Sequence, residues 1–136
     1  MEGYVSLKMT NVEIAYPIQP NYMAQKIGDG LHIYTHCNAE ITSSTIHDFG
    51  WAGLVVYRYS WAEVSSLTVS NIATYGITCG GSTLAFLPNC KVQNCYYGVN
   101  ASHLSGLDYP YRNVSTVNCT IPVNIVYGSV YYDPGH

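Results

Sequence analysis

The sequence predicts an all-β chain that winds into a solenoid of about five rungs, each of about 23 residues. The main observation is a short motif, Gly-apolar-x-apolar, which occurs four times and once more with Pro in place of Gly. The spacings between its copies are 23, 23, 22 and 24 residues. The copies begin at Gly30, Gly53, Gly76, Gly98 and Pro122. A fixed period of this size is typical of stacked repeats, in which each unit packs only on its neighbours.

A second column of residues recurs in phase with this motif, within the pattern apolar-x-apolar-x-Asn-apolar. Its members are Asn11, Asp48, Asn71, Asn94 and Asn118. Alternation of apolar residues predicts short strands, and Asn and Gly tolerate positive φ, so each is expected to mark a bend between strands. The Asn side chains in register are expected to hydrogen-bond up and down the stack, and the charge of Asp48 is expected to break that ladder.

A third strand is predicted in the segment that returns to the next unit. It is centred on Glu40, Glu63, Phe86 and Asp108, most of them flanked by apolar residues. Three strands and three bends in about 23 residues describe one rung of a parallel β-helix, with rungs about 4.8 Å apart. The bias of parallel crossover connections favours a right-handed coil. One interior stack is predicted to hold Leu31, Leu54, Ile77, Val99 and Val123.

The repeat unit resembles the parallel β-helix repeat of the pectate-lyase-like superfamily, over residues 7 to about 125. That superfamily includes polysaccharide lyases, glycoside hydrolases, epimerases and bacteriophage tailspikes. The resemblance therefore implies a right-handed parallel β-helix, and a function connected with polysaccharides or with surface fibres. No motif in this chain matches the catalytic residues of the superfamily, so none of them is transferred here.

The composition indicates a single domain over residues 1–136 and limits the possible partners. A net charge of −3 with only five Lys and Arg residues argues against nucleic acid. No apolar run is long enough to insert into a membrane. The first rung follows Met1 almost at once, so we expect a fragment or subunit of a larger assembly, such as a homotrimer, at an extracellular or virion surface. The five cysteines fall mostly on inward columns and are expected to be core thiols.

One insertion interrupts the first rung. Residues 13–29 are predicted to form a loop that stands off the stack, because Pro17 and Pro20 are incompatible with a central strand. Insertions of this kind often contribute to a binding face in solenoid proteins.

The outward face of the third strand holds the candidate site. Glu40 and Glu63 are expected one rung apart, at a carboxylate separation close to that of a glycosidase pair, and are the candidate catalytic residues. The same strip is predicted to contain the candidate carbohydrate-binding residues Tyr34, Tyr57, Arg58, Tyr59, Trp61 and Asp108. No cofactor or metal site is expected, because the cysteines and histidines lack zinc spacing.

Three functions fit this pattern. The first is a structural or receptor-binding β-helix module of a viral or bacterial surface protein, such as a tailspike or tail fibre, that contacts a polysaccharide or cell-surface glycan. The second is a polysaccharide hydrolase or lyase that uses Glu40 and Glu63. The third is a purely architectural subunit. A stack of about five rungs is only about 24 Å tall, which is short for a groove that cleaves a polysaccharide.

Overall fold

The computed structural model describes residues 5–15, 28–81, 84–86, 89–102, 106–108, 114–125 and 130–132. Within them the chain forms fourteen strands, and every pairing between strands is parallel. The first sheet contains β1 (Ser6–Thr10), β4 (Asn38–Thr42), β7 (Trp61–Ser65), β9 (Leu84–Phe86), β11 (Gly106–Asp108) and β14 (Val130–Tyr132), in that order. The second contains β2 (Glu13–Ala15), β3 (Asp29–Tyr34), β5 (Thr45–His47), β6 (Ala52–Tyr57), β8 (Thr68–Gly80), β10 (Lys91–Ser102), β12 (Ser115–Val117) and β13 (Ile121–Ile125).

The strand register confirms the all-β solenoid. In the first sheet, one column of neighbours runs through Ser6, Asn38, Trp61, Leu84, Gly106 and Val130. After the first, longer step, these residues are 23, 23, 22 and 24 positions apart. The chain therefore returns to this sheet five times, with the predicted repeat of about 23 residues.

One complete rung shows why the sequence bends where it does. The chain leaves β4, turns at Ser43 with φ of 49°, forms β5, and turns again at Asp48 with φ of 67°. It then forms β6 and rounds a wider corner at Arg58 and Tyr59, where φ is 51° and 59°. The three predicted strands and three predicted bends are therefore confirmed for this rung, and left-handed backbone at one or two consecutive residues makes each bend.

The interior of the solenoid consists of columns of apolar side chains. The register aligns Leu31, Leu54, Ile77, Val99 and Val123 as successive neighbours, which confirms the predicted stack. The middle three members are fully buried, and the outer two are partly buried against the same core. Each rung thus covers the apolar residues of the next, as stacked repeats require.

The recurring glycines do not mark bends with positive φ, although the sequence suggested that they would. Gly30, Gly53, Gly76 and Gly98 are not among the residues with positive φ. A Cβ at Gly53 would lie 2.7 Å from the carbonyl oxygen of Gly76 and would collide with the side chain of Val69. The other three glycines face the same obstruction from the neighbouring rung. These glycines are therefore required for space, and the bends lie at other residues.

The phase predicted for the first rung was wrong. Asn11 does not continue the column of Asp48, because β1 pairs with β4 and aligns Thr10 with Thr42. Asn11 therefore occupies the same bend as Ser43, and both have positive φ. The error arose because the segment before this bend has the same alternation of apolar residues as the segment before the next one.

The predicted limits of the insertion, residues 13 and 29, both lie in strands rather than in a loop. Residues Glu13–Ala15 form β2, which pairs with β5, and Asp29 begins β3, which pairs with β6. The remaining positions, 16–27, lie outside the described residues. Strand pairing at both ends shows that the first rung follows the solenoid path on either side of this segment.

Candidate functional site

The predicted strip is divided between two faces of the solenoid. Glu40, Glu63 and Trp61 lie on the first sheet, whereas Tyr34 and Tyr57 lie at the ends of β3 and β6 in the second sheet. A corner of two consecutive residues with positive φ separates the two groups, at Thr35 and His36 in one rung and at Arg58 and Tyr59 in the next. The expectation of one continuous strip is therefore wrong, and two separate concave surfaces replace it.

The first surface, which we call the acidic face, is a shallow depression of about 600 Å³ on the first sheet. The register places Glu40 directly beside Glu63, as predicted, and Lys8 beside Glu40. Lys8 Nζ lies 3.4 Å from Glu40 Oε1, with 73% and 56% of the two side chains exposed. Trp61 lies two residues before Glu63 on the same face and is 42% exposed.

The second surface, which we call the aromatic groove, has a volume of about 410 Å³ on the outer face of the second sheet. It crosses several rungs, because its residues come from strands β3, β6, β8, β10 and β13. Its lining residues are Asp29, His32, Tyr34, Trp51, Val55, Tyr57, Arg58, Tyr75, Thr78, Asn100, Ser102 and Asn124. Tyr34, Tyr57 and Arg58 were predicted from the sequence, and the others were not.

One rim of the aromatic groove contains the three predicted residues. The guanidinium carbon of Arg58 lies 4.8 Å from the centre of the Tyr34 ring, a cation–π contact. The Tyr57 hydroxyl lies 3.2 Å from Ser102 Oγ, and the Tyr57 ring passes over Gly80 to reach it. These contacts hold the two tyrosine rings against the sheet.

The opposite rim is a row of aromatic rings. Tyr75 stacks on Tyr97 with centroids 4.9 Å apart, and Trp51 meets Tyr75 edge-on at 5.4 Å. Burial raises the pKa of Tyr75, and the nearby Tyr97 and Tyr57 hydroxyls add to the shift. A sequence signal for this rim exists, since Tyr75 and Tyr97 directly precede the glycine of their repeats.

The floor of the groove contains a short ladder of polar side chains. Asn124 Nδ2 donates to Asn100 Oδ1 at 2.6 Å, and Asn100 Nδ2 donates to Thr78 Oγ1 at 2.7 Å. These residues occupy the variable position of the Gly-apolar-x-apolar motif, one per rung. Asn100 and Thr78 are buried on an outward face, which single-residue alternation could not predict.

Asp29 and His32 lie at the first-rung end of the groove. His32 Nδ1 is 3.3 Å from Asp29 Oδ2, whereas Asp29 Oδ1 is buried and has no hydrogen-bond partner among the described residues. Burial raises the pKa of Asp29, and His32 together with the backbone N–H of Ala52 partly offsets that effect. A partly desolvated carboxylate with one unpaired oxygen favours a ligand that donates hydrogen bonds.

One predicted site residue, Tyr59, lies outside both surfaces. Tyr59 is 66% exposed at the corner, where its ring stacks on His36 with centroids 5.4 Å apart. Asp108 aligns in the backbone with Phe86, which in turn aligns with Glu63, so its predicted column is confirmed. The side chain of Asp108 lies outside the described part of the chain.

The cysteines behave as core residues. Cys37, Cys79, Cys90 and Cys95 are buried, Cys119 is partly exposed, and all five are free thiols. Burial raises the pKa of Cys90 to about 11 and that of Cys95 to about 12. Such thiols stay protonated at neutral pH and are poor nucleophiles.

Metal-ligand clusters and membrane-spanning helices are both absent from the described residues. In the described ranges, no group of three or more His, Cys, Asp or Glu side chains could hold a metal ion. No helix in those ranges has the length and apolar character needed to cross a membrane.

Comparison with known families agrees with this architecture. The chain matches the family described as "right handed beta helix region" over residues 6–135. The protein belongs to the right-handed β-helix family. Neither a curated protein nor a solved structure matches the chain. Membership confirms the fold and the predicted handedness, and it agrees with a structural or polysaccharide-related β-helix protein in general.

Proposed function

We propose that the chain is a glycan-binding β-helix module of a surface fibre or similar assembly. The observation that carries the proposal is the aromatic groove, in which two aromatic rims enclose a polar floor. The apolar face of a sugar packs on aromatic rings, and its hydroxyl edge needs hydrogen-bonding groups between them. A volume of about 410 Å³ lies within the usual range for ligand sites.

The rigidity of the groove supports binding. Its rims are held by ring–ring and cation–π contacts, and its floor by the hydrogen bonds between Asn124, Asn100 and Thr78. A ligand that enters such a site loses its own freedom but does not have to order the protein. A repeated backbone is well suited to this arrangement, because successive rungs place residues in register along the rims and the floor.

Our proposal places the module outside the cell or on a virion, as one copy in a homo-oligomer or a larger assembly. Exposed apolar side chains on the first and last described rungs support association with other chains. These residues are Val5, Val12 and Val117, with 46%, 39% and 43% of their surface exposed. If the aromatic groove bound no glycan, these exposed apolar side chains would suit a purely architectural subunit.

A second candidate function, hydrolysis on the acidic face, is favoured by one observation. Glu40 and Glu63 are neighbours in register, so two carboxylates lie on adjacent strands beside Trp61. However, Glu40 pairs with Lys8, and its side chain is 56% exposed. An open, solvated pair gives little of the desolvation that a general acid requires. We therefore favour binding in the aromatic groove.

A glycan array followed by titration of the best ligand tests these functions. Tyr57→Ala and Trp51→Ala should each weaken binding by about 1–3 kcal/mol, since each removes an aromatic wall of the groove. Trp61→Ala is the matched control, because it removes an exposed aromatic residue from the acidic face. Binding that depends on Trp61 alone would move the site to the acidic face.

Product analysis separates binding from catalysis. New reducing ends or unsaturated sugars that disappear in Glu63→Gln would support the hydrolase or lyase. No binding to any glycan by the intact chain would contradict the proposed function and favour an architectural subunit.

A further inference from the structure

The aromatic groove carries an inference about the class of sugar, which rests on the proposed glycan binding. We propose that the groove selects a neutral, hydroxyl-rich sugar over an acidic one, and that a sugar hydroxyl donates to the Asp29 carboxylate. The argument rests on the position of Asp29, on the distribution of charge along the groove and on the polar groups of its floor.

The Asp29 carboxylate can accept more hydrogen bonds than the described residues donate to it. Among the described residues, its buried Oδ1 has no hydrogen-bond partner, and its Oδ2 faces His32 Nδ1 at 3.3 Å. A carboxylate accepts up to about four hydrogen bonds, and part of that capacity is unused beyond the contacts with His32 and the backbone N–H of Ala52. Hydroxyl groups of a neutral sugar supply such donors, whereas a second carboxylate would bring repulsion at close range.

The positive charge in the groove is limited to one side chain. Among the described residues that line it, Arg58 is the only Lys or Arg. Lys8, a second described cation, lies on the acidic face and pairs with Glu40. An acidic polysaccharide carries one carboxylate on each charged sugar and needs matching cations along the site. One guanidinium at one rim, opposed by Asp29, leaves the groove with no net attraction for such a chain.

The floor of the groove offers uncharged hydrogen-bonding groups, which also favour a neutral sugar. The Thr78 oxygen accepts from Asn100, which leaves the hydroxyl proton of Thr78 to donate. Asn124 donates to Asn100, and its own Oδ1 accepts no described hydrogen bond. A donor and an acceptor on the floor, with a carboxylate at the end, match the mixed donors and acceptors of sugar hydroxyls.

Isothermal titration with matched oligosaccharide pairs tests the inference. Each pair consists of a neutral hexose oligomer and the corresponding hexuronate oligomer, which differ only at the C6 carboxylate. We expect the intact chain to bind the neutral member at least about tenfold more tightly. Asp29→Asn should weaken neutral binding about tenfold, because the amide presents a weaker, uncharged acceptor. Glu13→Gln is the control, since it makes the matching change from carboxylate to amide at an exposed residue that lines neither surface, and it should leave the affinity unchanged.

The outcomes separate this inference from the proposed function. Tighter binding of the hexuronate member, or unchanged neutral binding in Asp29→Asn, would overturn the selection of neutral sugars while leaving glycan binding in place. A failure of both members of every pair to bind the intact chain would overturn glycan binding itself. Circular dichroism of Asp29→Asn establishes that it folds, and retained binding of a second neutral sugar by that variant would count against a role for Asp29.

Discussion

The Tyr57 hydroxyl lies 3.2 Å from the Ser102 Oγ, although the two residues are 45 positions apart in the chain. Tyr57, Gly80 and Ser102 are aligned on three successive rungs, with Gly80 on the middle one. A Cβ at Gly80 would lie 2.5–2.8 Å from atoms of the Tyr57 ring. The ring therefore lies along the stack only because residue 80 has no side chain, and this position defines one rim of the aromatic groove.

Gly80→Ala should displace the Tyr57 ring and destabilise the fold by about 1–3 kcal/mol through overpacking. Urea denaturation measures the stability, and titration with the best glycan measures the effect on the rim. Ser102→Ala is the comparison, because it removes the hydrogen bond but leaves the space over Gly80 open, and it should cost about 1 kcal/mol. Wild-type stability and binding in Gly80→Ala would show that the ring does not require this space.

Hydrogen bonds between asparagine side chains connect consecutive rungs on the outside of the second sheet. Asn118 Nδ2 donates to Asn94 Oδ1, Asn94 to Asn71 and Asn71 to Asp48, at 3.2, 3.0 and 3.1 Å. All four residues have positive φ. Asp48 was expected to break this ladder, but its carboxylate ends it as an acceptor. A charged carboxylate is compatible with the end of the ladder, because the residue at that position only has to accept a hydrogen bond from Asn71.

Two substitutions separate the contribution of the Asn94 side-chain hydrogen bonds from that of its left-handed backbone conformation. Asn94→Ala should lower the free energy of unfolding by about 1–2 kcal/mol, because it loses two side-chain hydrogen bonds. Alanine is also strained at positive φ, since it has a Cβ but lacks the polar side chain by which asparagine tolerates this conformation. Asn94→Gly loses the same hydrogen bonds but tolerates the backbone, so it should be the more stable of the two variants. Urea midpoints of both proteins measure the difference. A less stable Gly variant would contradict the assignment of strain to this bend.

His47 joins the end of the ladder to the first rung. Its Nδ1 lies 2.7 Å from Asp48 Oδ2, and its Nε2 lies 2.7 Å from Glu13 Oε1. The hydrogen bonds to Glu13 and then to Asp48 raise the pKa of His47, and their negative charges add to the shift. The imidazolium form, which donates from both nitrogens, is therefore favoured in the folded chain.

The stability of the chain should accordingly fall as the pH rises through neutrality. A raised folded pKa gives stability that is fully present below the ordinary His value of about 6.5 and is lost as the pH rises through the folded pKa. Urea midpoints between about pH 5.5 and 9 measure this effect, and His47→Gln should flatten the profile over that window. An equal decline in His47→Gln would assign the pH dependence to another group.

The sequence predicted the fold well because apolar columns and bends repeat with one period. Leu54 and Ile77 could be assigned to one interior stack, since the register repeats with the motif. Asn11 was misplaced because two different bends follow the same alternation, and only strand pairing distinguishes them. Local patterns therefore gave the period but not the phase of the first rung.

The candidate site was predicted only in part. Tyr34, Tyr57 and Arg58 lie together in the aromatic groove, whereas Glu40 and Glu63 lie on another face, and binding by either group stays a prediction. The angle at the corners of Thr35 and His36 and of Arg58 and Tyr59 decides which strands share a face, and it depends on two consecutive left-handed residues rather than on periodicity. The burial of outward polar residues was also invisible in the sequence, because it depends on large side chains from neighbouring rungs.

The burial of the thiols gives a final prediction about reactivity. Cys90 and Cys95, with pKa values raised by burial to about 11 and about 12, hold very little thiolate near pH 8. Cys119 is partly exposed and should react with iodoacetamide in the native protein well before the four buried thiols. In urea all five should react at similar rates. Mass spectrometry of the labelled peptides measures the order, and native labelling of Cys90 or Cys95 at the rate of Cys119 would show that their rungs open in solution.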